Sequence, residues 1–385
     1  MASITKYTKK DGSAAYKFQA YLGIDPMTGK PKKTTRSGFK TKKEADLALS
    51  RLMLDIDKNG LSKTDNDNIT FKEVYELWVD QYRHTVKENT LRMTKYYFND
   101  YILPSLGKYR INNITVAQVQ KAVNKWAGQV GMYKLMNSYV SMVYRFANNS
   151  GISNIDPAKK VIIPKKKKKV KAQYEQEDGF YTRDELRTFM DCASKVKDLK
   201  KVVFFRLAAY TGARKSEILA LNWTDIDFTR KQLHINKTLA IGLKKVIVNT
   251  PKTEASIRSI SLDDETLALL KRWRKDQLEK YLKLGINTNR PNQPIFTTYR
   301  NTHIRPSAVF YWLRDVLQKN DLKKITVHGF RHTHASLLFE AGASLQEVKE
   351  RLGHANIKTT MDIYTHVTEK TKEETADKFL KFMEN

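Results

Sequence analysis

The 385-residue chain holds one cysteine, Cys192. That count excludes an internal disulfide framework and a cysteine-built zinc module, and makes a reducing cytoplasm the expected compartment. There is also no run of about 18 uninterrupted apolar residues, the length a membrane-spanning helix needs. The best stretch, Val202 to Tyr210, is cut by Arg206. Met1 to Lys10 are polar and lack the apolar segment of a secretory signal. Acidic residues are the third shortage: 41 Asp and Glu stand against 70 Lys and Arg, a net charge of +29. A folded chain with that surplus calls for a polyanionic partner, nucleic acid ahead of an acidic membrane surface. Hydrophobic residues at 41% and charged residues at 29% describe a folded rather than a disordered chain, and the length suits two or three domains.

Two composition breaks divide the chain. Asn59 to Asn68 is polar and without periodicity, and reads as a linker. The second break runs from Pro157 to Asp178 and contains the block Lys165, Lys166, Lys167, Lys168 and Lys169; five adjacent lysines repel one another and resist packing, which describes an extended tether suited to a DNA backbone. The expected organisation is a small domain at 1–60, a linker at 61–68, a helical domain at 69–163, a basic linker at 164–178 and a third domain at 179–385.

In the first domain Tyr16, Phe18, Ala20 and Leu22 alternate with polar residues, Asp25 to Gly29 has turn composition, and Lys32 to Arg36 can return as a second strand. Thr41 with Glu44 opens a helix striped by Ala45, Leu49, Leu52 and Ile56. The second domain reads as all helical. Thr70 with Glu73 and Thr115 with Gln118 cap helices, Pro104 and Gly107 are expected to break the chain between them, and Arg92, Lys95, Lys121 and Lys125 fall on polar faces. The third is mixed: two helices, strand-like runs at Gln232 to Asn236, Lys245 to Asn249 and Ile257 to Leu262, then helices almost to the end. The fold class is therefore mainly α with small β-sheets.

Four patches of the third domain concentrate Arg, Lys, His and Tyr. Gly212 can end an apolar helix, after which Arg214 and Glu217 share a face. Lys252 falls at an expected hairpin turn, Pro251-Lys252-Thr253. His328 and Arg331 open a helix at His328-Gly329-Phe330-Arg331-His332-Thr333-His334. Leu352-Gly353-His354 closes another, capped by Ser344 with Glu347, and Tyr364 follows ten residues after His354. Singly, each has a plain reading: a surface ion pair, a solvent-facing lysine, packing histidines.

Together and in this order, with the wording TGARKSEILAL, HGFRHTHAS and LGHANIKTTMDIYTHV, the patches resemble the tyrosine recombinase (phage-type integrase) family over about residues 180 to 370. The first two domains resemble the arm-binding and core-binding domains of integrases from temperate phages and integrative conjugative elements. The resemblance implies a site-specific recombinase that integrates and excises a mobile element. Tyr364 would be the nucleophile, forming a 3′-phosphotyrosine, and Arg214 and Arg331 would clamp the phosphate with their planar, permanently charged forks. Lys252 would be the general acid, His328 would assist proton transfer, His354 would donate to the phosphate, and Glu217 would orient its neighbours. It implies no cofactor and no metal, double-stranded DNA at core and arm sites as partner, a homo-tetramer on DNA, an excisionase and a DNA-bending host factor as accessories, and action at the bacterial nucleoid. The amphipathic tail from Thr371 would pack on a neighbouring protomer.

Two other classes compete. A basic regulatory or architectural protein without chemistry would have no use for two arginines, two histidines, a lysine and a tyrosine at these intervals. A metal-dependent nuclease would draw on Asp225, Asp227, Asp263 or Asp264, acids whose places at turns and a helix start capping explains. His332 and His334 invite a zinc reading, but no HExxH pattern supports it. Tyr281 and Tyr311 lie in helical runs and read as packing residues.

Overall fold

The computed structural model describes residues 2–9, 12–24, 30–59, 68–165, 179–251, 253–358, 360, 361, 363, 364 and 383. Its contacts divide the chain into two compact units, 1–167 and 168–385.

The first unit contains two hydrophobic cores. In one, β1 (Ser3–Thr8), β2 (Ala14–Ile24) and β3 (Pro31–Phe39) form an antiparallel sheet, with helix α1 (Lys42–Asn59) behind it. Phe18, Ala20 and Leu22 face inward as their alternation requires, and Phe18 stacks on Phe39 at 5.6 Å. A register shift at Tyr16/Lys17 changes the parity, so that Ala15 is buried and Tyr16 only half-buried. The expected turn at 25–29 and most of the linker at 61–68 lie outside the described residues.

The other core is helical: α2 (Phe71–Tyr82), α3 (Glu88–Tyr97), α4 (Leu103–Leu106), α5 (Val116–Gln129) and α6 (Tyr133–Asn149). Thr70 and Thr115 cap α2 and α5 in reciprocal boxes with Glu73 and Gln118. Pro104 does not break the chain as its residue type suggests. A π-turn over Phe98–Ile102 joins α3 to α4, and Pro104 occupies the first turn of α4, where its missing N–H costs nothing. Gly107 ends the run, and a Cβ there would meet the Leu103 carbonyl oxygen at 2.7 Å. The expected tether is also shorter at its start. Pro157–Lys160 forms a 3₁₀ turn, Gln120 pairs with both backbone groups of Ile162, and Tyr133 donates to Pro164 O at 2.6 Å. These bonds dock 157–164 on α5 and α6. Lys165 is exposed, and Lys166 to Lys169 lie outside the described residues.

The second unit is built around the apolar helix α8 (Leu199–Thr211), which follows α7 (Arg183–Ser194) and precedes the single turn α9 (Lys215–Ile218). Phe204 and Phe205 of α8 meet Phe189, Phe296 and Phe330 in edge and tilted ring contacts. Strands β4 (Ile226–Asp227) and β5 (Gln232–Ile235) follow, then β6 (Thr238–Ile241), β7 (Val246–Asn249) and β8 (Arg258–Ser261). The β7–β8 hairpin expected around Lys252 is not formed. β7 pairs with β6, whereas β8 pairs with β5 and sets Ile260 opposite Leu233 in the core, so β7 and β8 belong to different sheets. Helices α10 (Asp264–Leu282), α11 (Ala308–Lys319), α12 (Gly329–Glu340) and α13 (Leu345–Leu352) complete the unit. Tyr281 is buried and bonds to Thr297 and Thr298. Tyr311 is 52% exposed, edge-on to Phe310 and beneath Arg314, so it is a surface residue rather than a packing one. Among the described residues, no helix is long and apolar enough to cross a membrane.

Candidate active site

Two helix ends build the site. α8 and α13 both stop at a glycine in the left-handed region, Gly212 (φ 62°) and Gly353 (φ 68°), and each end presents carbonyls without an intrahelical partner at the negative pole of the helix. Three consecutive carbonyls at the end of α13 each accept from a different arginine: Arg351 O from Arg258 Nε (2.8 Å), Leu352 O from Arg331 Nη2 (2.7 Å) and Gly353 O from Arg214 Nη2 (3.4 Å). Arg331 Nη1 also donates to Gly212 O of α8 (2.9 Å). Residues more than a hundred positions apart in sequence are thereby gathered on one helix terminus.

Glu217, 4% exposed, sits between two of these cations. Its Oε1 accepts from Arg214 Nη1 (2.7 Å); its Oε2 accepts from Arg258 Nη2 (2.9 Å) and from the Arg214 backbone N–H (3.0 Å). Burial acts to raise the Glu217 carboxyl, but Arg258 and Arg214 outweigh it and hold it below the usual carboxylate range. Arg331, 2% exposed, is pushed down to about 9, by desolvation first and then by Arg214 and Arg258, and stays cationic at neutral pH. Three guanidinium groups are packed here with one carboxylate, an arrangement that favours an anion.

Desolvation and the same arginines act on the histidines. His328, at the start of α12 with its ring edge-on to His332 (4.9 Å), is pushed down to about 4 by partial desolvation, then by His332, Arg331 and Arg214. His354 is pushed down to about 3, by burial and then by Arg331 and Arg214, and its Nδ1 pairs with Thr360 Oγ1 at 2.9 Å. Both are neutral at pH 7. If the Thr360 hydroxyl donates to Nδ1, the ring proton is on Nε2 and available to an oxyanion. His334 has another use. Its Nδ1 donates to Ala209 O (2.9 Å) and its Nε2 accepts from Arg351 Nε (3.0 Å), which ties α8, α12 and α13 together. Both ring nitrogens are engaged, so it is a joint rather than a ligand. Asp263 caps α10 and pairs with Arg206, Asp264 pairs with Lys231, Asp225 with Lys237, and Asp227 accepts two turn amides.

The structure thus brings Arg214, Glu217 and Arg331 together, with His328 and His354 in their field. Lys252 lies outside the described residues. Tyr364, 41% exposed, meets Phe339 edge-on with ring centroids 5.1 Å apart. Phe339 is eight residues beyond Arg331 on α12, about 12 Å along the helix axis. Sequence reasoning missed Arg258, Arg351 and Thr360. Arg258 stands in a strand with no motif around it, and only the pairing of β8 with β5 carries it to Glu217. Arg351 offered a faint signal as a basic residue in the last turn of α13.

The fold and this cluster define a protein with three arginines gathered around one buried carboxylate in a mixed α+β domain, preceded in the chain by a helical and a sheet-and-helix module. Comparison with known proteins gives the class. Residues 180–371 match the phage integrase family, 70–127 the phage integrase N-terminal SAM-like domain, and 3–56 an arm DNA-binding domain. The chain is 30% identical to a XerC-like tyrosine recombinase of Caldanaerobacter subterraneus, over 97% of each chain. It is 29% identical to the ICEBs1 integrase of Bacillus subtilis, over 96% of this chain and 98% of that one. In fold it is similar to the Tn1549 transposon integrase solved with a circular-intermediate DNA (TM-score 0.61, 17% identity, 77% of this chain and 95% of that one). It is also similar to the lambda integrase tetramer solved on a Holliday junction (TM-score 0.56, 18% identity, 93% and 94%). The chain belongs to the phage integrase family, the tyrosine recombinases, enzymes that cleave and rejoin DNA.

Proposed function

We propose that this recombinase integrates and excises a mobile element by attack of Tyr364 on one phosphodiester of double-stranded DNA. The observation that carries the reading is the convergence of Arg214 and Arg331 on the adjacent carbonyls of Gly353 and Leu352, with a single carboxylate between Arg214 and Arg258. Such a cluster is set to receive the non-bridging oxygens of a phosphate and the charge that builds on them in a pentacoordinate transition state. The Tyr364 hydroxyl gives up its proton to neutral His328 as its oxygen bonds to phosphorus, and the bond to the 5′-oxygen breaks, leaving a 3′-phosphotyrosine. Lys252 gives a proton to the departing oxygen, and His354 donates to the phosphate. Attack by a 5′-hydroxyl on the phosphotyrosine reverses each step and reseals the strand.

On this reading residues 1–60 hold arm sites, 69–163 clamp the core site through Arg92, Lys95, Lys121 and Lys125, and Lys165 to Lys169 follow the backbone between domains. Four copies act on two DNA sites at the host nucleoid, and excision draws on a small accessory protein and a DNA-bending host factor. A nicked suicide duplex, which loses its 5′-hydroxyl strand on cleavage, tests the reading: wild type accumulates a covalent adduct and Tyr364→Phe accumulates none. An adduct that persists in Tyr364→Phe refutes the assignment.

A further inference from the structure

We infer that Arg258 is a positioning residue for cleavage: by occupying Oε2 of Glu217 it confines Arg214 to Oε1, and so sets the guanidinium that grips the scissile phosphate. This rests on the reading of the site proposed above. The Arg214 side chain is 37% exposed, whereas those of Glu217 and Arg258 are 4% and 6% exposed. A long, half-exposed side chain has rotamer freedom to lose, and its aim is set by what holds it from behind. Arg258 is well suited to that task, because each of its three nitrogens has an acceptor within the protein: Nε on Arg351 O (2.8 Å), Nη1 on Ser256 O (3.1 Å) and Nη2 on Glu217 Oε2 (2.9 Å). Its stem is walled in as well, since a Cβ on Gly353 would stand 3.0 Å from Arg258 Cδ. Held this way, Arg258 is a fixed strut rather than a group that can turn toward a substrate.

The strut also decides how Arg214 bonds. Carboxylate and guanidinium prefer a two-oxygen, two-nitrogen fork. Here the side chain of Arg214 takes only Oε1 of Glu217, while Oε2 goes to Arg258 and to the Arg214 backbone N–H. Without Arg258, Glu217 can close both oxygens on the Arg214 fork and draw it away from the phosphate.

Single-turnover cleavage of the nicked duplex by the full chain tests this, with Arg258→Met, Arg258→Lys and Arg214→Ala run on two substrates. One carries the natural scissile phosphate. The other carries a methylphosphonate there, in which a methyl replaces a charged non-bridging oxygen and removes the charge that a guanidinium neutralises. Arg258→Met is expected to lose about a hundredfold in cleavage rate at saturating DNA, with DNA affinity within about twofold of wild type. That loss should shrink at least about tenfold on the methylphosphonate, as it should for Arg214→Ala, with Arg258→Lys in between. Equal losses on both substrates would mean a merely structural role and overturn the inference, as would unaltered cleavage by both Arg258 variants. If Arg258→Met fails to fold, the Arg258→Lys ratio between substrates decides alone. A wild-type chain that forms no adduct on the natural phosphate overturns the reading of the site beneath; a wild-type adduct with unaltered Arg258 variants overturns only this role.

Discussion

Replacing Gly353 by alanine probes the helix end on which the arginines meet. Gly353 closes α13 in the left-handed region at φ 68°, with its N–H shared between Lys349 O and Glu350 O. An alanine held there costs about 1–2 kcal/mol in backbone strain. The new Cβ would also lie 2.7 Å from Ala255 O and 3.0 Å from Arg258 Cδ. The first of these is backbone, which has little room to yield, so about 1–3 kcal/mol of overpacking adds to the strain. The sum, about 2–5 kcal/mol, corresponds to a melting point lower by roughly 4–20 °C for a unit of this size. Unfolding of the second unit can be followed by the fluorescence of Trp223 and Trp273, both buried in it. Gly179→Ala is the matched control, because Gly179 lies in the same unit with nothing within 4 Å of an added Cβ and a backbone outside the left-handed region. It should be stable to within about 1 kcal/mol of wild type, on the favourable side. The two variants should also differ in cleavage: displacing Gly353 moves the acceptors of Arg214 and Arg331, so Gly353→Ala should cut slowly even at temperatures where it is folded. A Gly353→Ala protein that melts within a degree of wild type would refute the packing argument, and one that cuts normally would refute the link from helix end to clamp.

Arg331→Lys keeps the charge but offers one ammonium to two carbonyls, Gly212 O and Leu352 O. It should lose about 1–3 kcal/mol of stability from the acceptor left unpaired and about 10²–10³ in cleavage rate; full activity would show that the fork geometry is unimportant. His334 and His354, pushed down to about 4 and 3, bind fewer protons in the folded than in the unfolded chain below pH 6.5. Their contribution to stability is therefore whole above about 6.5 and lost as pH falls toward 4. Melting of the wild type across pH 7 to 4 checks this, and a His334→Gln variant with the same pH slope as wild type would count against it. DNA affinity should fall steeply with salt because a chain of charge +29 displaces counterions on binding; a flat response in a titration from low to moderate salt would contradict the backbone contacts proposed for the lysine-rich faces.

Periodicity, capping signals and charge were enough to read most of the local structure. Thr70, Thr115, Thr182 and Ser344 cap helices because each is followed at the third position by Glu or Gln, and that pairing is purely local. Gly212 and Gly353 end helices for an equally local reason, the left-handed backbone that glycine adopts without strain. The surplus of Lys and Arg indicated the chemical nature of the partner without any coordinates. Tertiary structure decided what no window of sequence contains. Strand β7 turned back onto β6 while β8 joined β5, because sheet pairing is settled by which strands bury Leu233, Ile235 and Ile260 together. Pro104 continued a helix because a π-turn accommodated it. The clamp itself is the clearest case. Arg214, Arg258 and Arg331 have no shared periodicity, and they converge only because the carbonyls at the end of α13 lack partners and face the one place where all three can reach them.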